Sequence, residues 1–301
     1  MLNKPNLSHL PMSAITRLLF LINRRAKFEN ACAVEKHIAK RKARADIPKS
    51  LRKICDISHN DIMEREVITL SPKHGKSTAT LMYLHGGAYV FDLVSQHWQL
   101  VEYLIKNGGI SVVVPIYRLA PQGTADTELP FVLAVYDRVC AMSDRVFVAG
   151  DSAGGNLAMN LTLSLRDKGV ALPKRLFLFS PWLDLNTDNP DIDEKLQAKD
   201  PMLAVDGIRW CAGLWANGAD LNSPLLSPIF ADLTGLPPLH IYQGENDIFC
   251  PDAKKLAQKA SEQGADCTLN LYENAFHVFM ALPKLLPEAR AVLDDVIERM
   301  K

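Results

Sequence analysis

Short apolar runs bounded by turn residues alternate, from about residue 56 onward, with stretches in which apolar residues recur every three or four positions. Such runs are typical of buried strands, and the wider spacing is typical of amphipathic helices. This alternation predicts an α/β fold in which helices cover both faces of a mostly parallel sheet. Seven strands are predicted, at residues 67–70, 80–84, 111–114, 146–149, 176–179, 239–242 and 268–271.

Helical periodicity between these strands predicts five helices, at residues 96–106, 131–142, 155–168, 253–263 and 287–300. The alternation breaks once, between Pro181 and Ser227, where no strand is predicted and Trp210, Leu214 and Trp215 recur at helical spacing. We interpret this stretch as an insertion that forms a helical cap together with the N-terminal segment. The predicted division is an N-terminal part of the cap, a first part of the α/β core, the cap insertion and a second part of the core, at residues 1–50, 51–182, 183–225 and 226–301.

The N-terminal segment is basic, because residues 1–53 hold 13 Lys or Arg against three acids, whereas the whole chain holds 34 of each sign. Apolar positions at helical spacing predict an amphipathic helix from Ile15 to Ala26. The apolar run 18–22 is too short for a signal peptide, and no run is long enough to span a bilayer. A helix lying on anionic lipid and a helix packed over the protein both remain open. We expect the packed helix, without stable insertion in a membrane.

The composition is that of a globular protein with a full core, since 48% of the 301 residues are hydrophobic and 23% are charged. The balanced charge gives no signal for nucleic-acid binding. The six cysteines lie far apart and include no C-x-x-C pair, so neither a zinc site nor a disulfide framework is predicted. We therefore expect a cytoplasmic protein without a metal site.

The stretch Gly150–Gly155 carries the strongest chemical signal, because it follows a predicted strand and opens into a predicted helix. A serine on such a sharp turn has its hydroxyl pushed out of the backbone, and flanking glycines leave room for the bent main chain. Ser152 is therefore the candidate nucleophile. The motif G-x-S-x-G alone also fits a glycine-rich turn with a capping serine, so the assignment depends on partners elsewhere in the chain.

A serine hydroxyl needs a base to take its proton, and His277 is the strongest candidate among the eight histidines. It follows the last predicted strand through a short loop. An acid must hold the imidazole, and the chain order serine, acid, histidine is associated with this kind of turn. Asp247 fits that order just after a predicted strand, with Glu245 and Asp252 as rivals. We expect Asp252 to cap the helix that follows it.

The segment Leu84–Tyr89 offers main-chain donors for the negative charge that develops on a carbonyl oxygen during acyl transfer. Small residues after the predicted strand let the N–H groups of Gly86, Gly87 and Ala88 turn inward. The N–H of Ala153, directly after the serine, completes a predicted oxyanion hole. The alternative is a plain loop that contains a histidine and glycines. Because this segment occurs in the same chain as the serine turn, we favour the oxyanion hole.

Together these motifs resemble the hormone-sensitive lipase family of α/β-hydrolases, the bacterial type IV esterases, over nearly the whole chain. Further segments similar to family landmarks are Tyr117–Pro121, Ser180–Trp182, Asp200–Met202, Leu226–Pro228 and His277–Phe279. The resemblance implies an α/β-hydrolase core, a cap made of the N-terminus and an insertion, and ester hydrolysis without a metal or cofactor. It also implies a nucleophile, a base, an orienting acid and oxyanion donors at Ser152, His277, Asp247 and the N–H groups of Gly86, Gly87, Ala88 and Ala153.

Two positions depart from the family pattern. Ala88 stands where many relatives have a third glycine, and Gln122 stands where an acid is usual. Because Ala88 keeps its N–H, these departures bear on the shape of the pocket more than on activity.

The leading hypothesis is a serine carboxylesterase that hydrolyses short-chain acyl esters through an acyl-enzyme on Ser152. Aromatic residues in the predicted cap, including Trp210 and Trp215, favour a closed apolar pocket. An amidase or peptidase with the same three residues is one alternative. Another is a ligand receptor similar to the gibberellin receptors, which resemble this family but have lost the histidine that His277 preserves. The expected partner is a small-molecule ester and not a nucleic acid, and a homodimer remains open.

Overall fold

The computed structural model describes residues 11–41, 43–75 and 77–301, and only the backbone of Arg24. Eight strands of the described residues form one sheet: β1 Cys55–Ile62, β2 Arg65–Pro72, β3 Thr80–Leu84, β4 Ser111–Pro115, β5 Val146–Asp151, β6 Leu176–Phe179, β7 Leu239–Gly244 and β8 Cys267–Tyr272. Their order across the sheet is β1-β2-β4-β3-β5-β6-β7-β8. β2 is antiparallel to β1 and β4, and the other neighbours are parallel. The predicted α/β fold is confirmed.

The seven predicted strands are all present, but the sequence did not predict β1. This strand lies at the edge of the sheet, and most of its side chains are polar and exposed or half-exposed. It therefore lacks the apolar run or alternation that marks a buried strand. A tight turn at Met63 and Glu64, both with positive φ, instead pairs it antiparallel with β2 through the backbone.

Ten α-helices lie in the described part of the chain: α1 Met12–Leu21, α2 Ala31–Ala39, α3 Lys49–Ile54, α4 Ser95–Gly108, α5 Ala125–Cys140, α6 Ala153–Asp167, α7 Glu194–Lys199, α8 Val205–Ala216, α9 Cys250–Glu262 and α10 Pro287–Arg299. All five predicted core helices are among them. α5 starts at Ala125 instead of the predicted Phe131, because the helix runs through Pro130 near its beginning. The missing proline N–H removes only one helical hydrogen bond there.

Alternating side chains of the central strands divide the core into two layers. In β3, Leu81 and Tyr83 belong to the layer that contains α4 and α10, whereas Met82 and Leu84 belong to the layer that contains α5 and α6. Both faces of the sheet are thus covered with apolar side chains. The carboxyl ends of the parallel strands form the edge where functional groups of such folds gather.

The N-terminal segment and the predicted insertion pack against each other. α2 and the 3-10 turn Arg24–Phe28 contact α8. A side chain at Gly207 of α8 would lie 2.1 Å from the carbonyl oxygen of Phe28, so the two backbones touch directly. Residues 1–10 and Lys42, which the sequence places in the same N-terminal part of the cap, lie outside the described residues. The division into cap and core at the predicted boundaries stays a prediction.

The amphipathic helix predicted from Ile15 to Ala26 is shorter in the structure, since α1 ends at Leu21. Met12 and Ile15 are buried, but Leu18 and Leu21 are 51% and 83% exposed. α1 therefore packs through its first turns and leaves apolar side chains of its last turn at the surface. Within the residues described, no helix combines the length and the apolar character needed to cross a bilayer.

A buried ion pair joins β2 to α5. The guanidinium of Arg65 donates hydrogen bonds to both carboxylate oxygens of Glu128, at 2.8 and 2.7 Å, and Glu128 is fully buried. The backbone N–H of Arg118 donates to the same carboxylate at 2.9 Å. Removing one charge of such a pair leaves the other buried and uncompensated.

We predict that Glu128→Gln lowers the free energy of unfolding by about 3 kcal/mol, because Arg65 keeps its buried charge without a counter-charge. Urea unfolding followed by circular dichroism measures this change. The matched control is Glu102→Gln, which breaks the more exposed Lys284–Glu102 pair at 3.4 Å and should cost less than about 1 kcal/mol. Equal unfolding midpoints for the two variants would contradict the prediction.

Candidate active site

Ser152 lies on a sharp turn between β5 and α6, with φ 53° and ψ −119°. A residue with a side chain rarely adopts this conformation, so the surrounding structure must hold it. A Cβ at Gly150 would lie 2.2 Å from the carbonyl oxygen of Gly154, and one at Gly154 would lie 2.1 Å from that of Leu84. Gly150 thus lets β5 and α6 approach closely enough to form the turn, and Gly154 lets α6 approach the end of β3. The turn places the hydroxyl of Ser152 at the carboxyl edge of the sheet.

A continuous line of hydrogen bonds joins three side chains that are distant in the sequence. Nε2 of His277 is 2.9 Å from Oγ of Ser152, and Nδ1 of His277 is 2.8 Å from Oδ2 of Asp247. The three residues follow β5, β7 and β8, which are parallel, so their side chains meet at one edge of the sheet. All three are buried, with Ser152 6% and His277 4% exposed.

The carboxylate of Asp247 is held by its own loop and by the end of β7. Oδ1 accepts a hydrogen bond from the backbone N–H of Phe249 at 2.9 Å, and Oδ2 also accepts one from Nε2 of Gln243 at 2.8 Å. These bonds fix the carboxylate so that one oxygen points at Nδ1 of His277. An imidazole held in this way donates from Nδ1 and presents Nε2 as the acceptor toward the serine.

The structure places the two rival acids elsewhere. Asp252 lies inside the first turn of α9, which begins at Cys250 and not after Asp252 as predicted, and its Oδ1 accepts from Nδ2 of Asn189 at 2.7 Å. Glu245 lines a surface cleft. Among the described residues, neither forms a hydrogen bond with His277.

The charge on Asp247 is the largest of the interactions that raise the pKa of the imidazole. Burial by itself would lower the pKa of His277, but the charge and hydrogen bond of Asp247, with help from the charge of Asp200, raise it above 6.5. The field at this position therefore favours a proton on the imidazole. A base in such a field accepts a proton from a hydroxyl more readily than a free imidazole does.

Asp200 is a second buried carboxylate beside the first, and the sequence marked it only as part of a landmark segment. Its Oδ2 accepts from the backbone N–H of Ile248 at 3.0 Å, and its Oδ1 accepts from those of Met202 and Leu203 at 2.7 and 2.9 Å. Burial and the nearby charge of Asp247 raise the pKa of Asp200 to about 6. Asp200 thus ties the predicted cap insertion to the loop that carries Asp247.

The loop after β3 brings main-chain N–H groups to the serine. Gly87, Ala88 and Tyr89 all have positive φ, at 125°, 52° and 62°, so successive N–H groups turn to the same side. Within the described part of the chain, the N–H groups of Gly87, Ala88 and Ala153 donate to no protein acceptor. They are available for a ligand oxygen beside Ser152.

Gly86 differs from the other predicted oxyanion donors. Its N–H donates to Oδ1 of Asp151 at 2.9 Å, so it is already engaged. The same carboxylate accepts from the hydroxyl of Tyr83 and lies 3.4 Å from Nε2 of His97. A Cβ at Gly86 would lie 2.2 Å from Oδ2 of Asp151, so only glycine fits here. Gly86 therefore anchors the loop to the residue before the serine.

Aromatic side chains enclose the site. The ring of Phe249 meets that of His277 edge to face, at 5.3 Å between centroids, and stacks on Trp182 at 5.8 Å. Such packing limits the water around the polar groups and strengthens their interactions. Among the residues that the structure describes, no three metal-ligating side chains are arranged to hold a metal ion.

Comparison with known proteins places this geometry in a family. Residues 81–281 match the family model described as alpha/beta hydrolase fold. An acetyl-hydrolase from Streptomyces hygroscopicus is 35% identical over 224 residues, which cover 71% of this chain and 73% of the relative. An acetyl esterase from Salmonella typhi is 26% identical over 263 residues, which cover 83% of this chain and 80% of the relative.

Solved structures show the same likeness over almost the whole chain. The crystal structure of EstE5 soaked with p-nitrophenyl butyrate superposes with a TM-score of 0.83 at 26% identity, and covers 96% of this chain and 97% of EstE5. The chain belongs to the α/β-hydrolase fold family, and it is a carboxylic ester hydrolase.

Proposed function

We propose that the protein is a serine carboxylesterase that cleaves short-chain acyl esters through an acyl-enzyme on Ser152. The observation that carries the proposal is the pair of hydrogen bonds that link Ser152 to His277 at 2.9 Å and His277 to Asp247 at 2.8 Å. A hydroxyl bonded to an imidazole that is bonded in turn to a carboxylate is the arrangement that activates a serine.

In the first step, Nε2 of His277 takes the proton of the Ser152 hydroxyl while Oγ bonds to the carbonyl carbon of the ester. The carbonyl oxygen becomes an oxyanion, which the N–H groups of Gly87, Ala88 and Ala153 stabilise. The imidazolium then gives its proton to the alcohol oxygen, the carbon–oxygen bond breaks, and the acyl group stays on Oγ. Asp247 stays ionised and holds the imidazole throughout.

In the second step, His277 takes a proton from water as the water oxygen attacks the acyl carbon. The same N–H groups hold the second oxyanion. Collapse of this intermediate breaks the bond to Oγ, and His277 returns its proton to Ser152. The carboxylic acid leaves, and the enzyme is restored with no group gained or lost.

The enclosure of the site supports a preference for short acyl chains. Phe249 packs against His277, Trp182 stacks on Phe249, and both aromatic side chains are fully buried, so aromatic rings occupy space beside the reacting groups. The relatives named above are an acetyl-hydrolase and an acetyl esterase. The complete hydrogen-bonded line at Ser152 also argues against a ligand receptor that has lost its catalysis.

We predict that Ser152→Ala lowers kcat on p-nitrophenyl acetate by at least about 10⁴-fold, because no other group takes the acyl chain. The absorbance of the released p-nitrophenolate measures the rate. A fluorophosphonate probe should label the wild type but not this variant. Ser164→Ala is the matched control, since Ser164 is a buried serine later on the same helix. Comparable turnover by the two variants would refute the assignment.

The pH profile should show an acid limb whose midpoint lies above 6.5. His277 must be neutral to accept the serine proton, and Asp247 helps to raise the pKa of His277, so activity is lost as pH falls through that raised value. Asp247→Asn should move the limb to lower pH and reduce kcat about 10⁴-fold. kcat/KM measured between pH 5 and 9, roughly the range around the imidazole pKa, tests both points. If the acid limb had the same midpoint in Asp247→Asn as in the wild type, Asp247 would not be the group that raises the pKa of His277.

We expect kcat/KM to fall steadily from p-nitrophenyl acetate and butyrate to the octanoate and palmitate. A longer acyl chain must displace packed aromatic side chains, whose rearrangement costs free energy. The four esters, measured under one detergent condition below its micelle concentration, provide the series. A maximum at the palmitate would show that the site opens to long chains.

A further inference from the structure

A buried hydrogen bond between Tyr89 and Asn156, beside the active site, has no role in the proposed reaction. The hydroxyl of Tyr89 donates to Oδ1 of Asn156 at 2.6 Å, and both side chains are fully buried. Tyr89 directly follows Ala88 in the loop after β3, and Asn156 lies in the first turn of α6, one turn beyond Ser152. The bond therefore connects the oxyanion loop, residues 86–91, to the helix that carries the nucleophile.

Asn156 also holds both ends of the predicted cap insertion. Its Nδ2 donates to the carbonyl oxygens of Trp182 and Leu226, each at 2.8 Å. Trp182 is the last residue before the insertion 183–225, and Leu226 is the first residue after it. One amide group thus bonds the chain where it leaves the core, the chain where it returns, and the oxyanion loop. An amide has only two N–H donors, and both are used here.

The ring of Tyr89 gives the cap a second contact with the same loop. It stacks on Trp215 of α8, with the ring centroids 3.8 Å apart and the planes within 3° of parallel. Rings packed this closely face to face leave no room for one to shift without moving the other. The N-terminal segment contacts the loop two residues later, where Phe28 packs edge to face on Phe91 at 5.7 Å. Helix α8 of the predicted cap and the N-terminal segment therefore both contact the oxyanion loop.

The backbone of this loop has other supports that do not depend on these side chains. Phe91 donates its N–H to the carbonyl oxygen of Gly87, and Ala120 donates its N–H to that of Tyr89, both at 2.8 Å. The loop should consequently keep its course when the Tyr89 hydroxyl is removed. The side-chain contacts are left to set the final direction of the N–H groups of Gly87 and Ala88.

We propose that Asn156 and Tyr89 are positioning residues that couple the seating of the cap to the aim of the oxyanion donors. This inference rests on the proposed function, since it assumes that Gly87 and Ala88 donate to an oxyanion. When the cap is seated, Trp182 and Leu226 are fixed against Asn156. Trp215 is then fixed against Tyr89, and the main-chain donors point at the ester oxygen above Ser152. A cap that is unseated releases the same loop.

The expected signature is a loss in kcat without a matching rise in KM. A neutral carbonyl oxygen in the bound ester needs these donors less than the oxyanion does, so misdirected N–H groups weaken the transition state more than the ground state. A purely structural role would instead lower the number of active molecules and leave the rate of each one unchanged. The two roles therefore separate when the rate is expressed per active site.

Two variants test the coupling. Asn156→Asp keeps the shape of the side chain but replaces both N–H donors with an oxygen that faces two carbonyl oxygens. Tyr89→Phe removes only the hydroxyl and leaves every other bond of Asn156 in place, so it remains informative if the first variant folds poorly. The control is Tyr136→Phe in α5, which alters a buried tyrosine outside the active site.

Active sites are counted by complete labelling with a fluorophosphonate, and kcat and KM on p-nitrophenyl acetate are expressed per labelled site. We expect Asn156→Asp to lower kcat roughly tenfold and Tyr89→Phe to lower it two- to threefold, with KM changed less than twofold in each, since small misplacements in an active site are costly. The inhibition constant of a trifluoromethyl ketone, which forms an anionic adduct on the serine, should rise in parallel. Tyr136→Phe should match the wild type.

An unchanged kcat per labelled site in Asn156→Asp would overturn the proposal. An unchanged Tyr89→Phe would overturn the route through Tyr89, and a rise in KM alone would assign both residues to substrate binding instead. Failure of the proposed function would give a different result, namely a Ser152→Ala variant that is still active. The two proposals can therefore fail independently.

Discussion

The sharp turn at Ser152, where φ is positive, is the constraint on which the rest of the site depends. It brings β5 so close to α6 that Gly150 has no room for a side chain, and it brings the end of β3 so close to α6 that Gly154 has none either. The same closeness places the first N–H of α6 beside the serine hydroxyl and the loop after β3 beside Asp151. A strained conformation of this kind costs about 1–3 kcal/mol, and the packed sheet and helix around it supply the support. Without the turn, the hydroxyl would not reach His277.

The buried carboxylates of Asp151, Asp200 and Asp247 at this edge of the sheet each accept at least one hydrogen bond from the backbone. Asp151 accepts from the N–H of Gly86, whereas Asp247 and Asp200 accept from N–H groups in the loop that follows β7. Hydrogen bonds from main-chain donors stabilise the charged form against the penalty of burial. Because the fold fixes these donors, the field around the imidazole is already arranged before a substrate arrives. Such preorganisation is the main way in which a rigid site lowers a barrier.

The fold was largely predictable because buried elements leave strong local patterns. The parallel strands are covered on both faces and therefore appear as short apolar runs, and the core helices keep one apolar face. β1 escaped prediction since its polar side chains at the sheet edge carry no such pattern. The predicted start of α5 was wrong because a proline normally lies at the beginning of a helix or just beyond its end, whereas Pro130 lies within the early turns of α5. Pairing and packing, which the local sequence does not record, decided both cases.

The sequence by itself determined which groups could act together, since the serine turn, the chain order and the strand ends that precede Asp247 and His277 are local features. Only the tertiary structure decided how those groups are supported. It engaged Gly86 with Asp151, placed Asp200 beside Asp247, and set Asn156 against both ends of the predicted cap insertion. The physical reason is that a hydrogen bond between residues far apart in the chain depends on distance and direction in space, and no spacing along the chain specifies either.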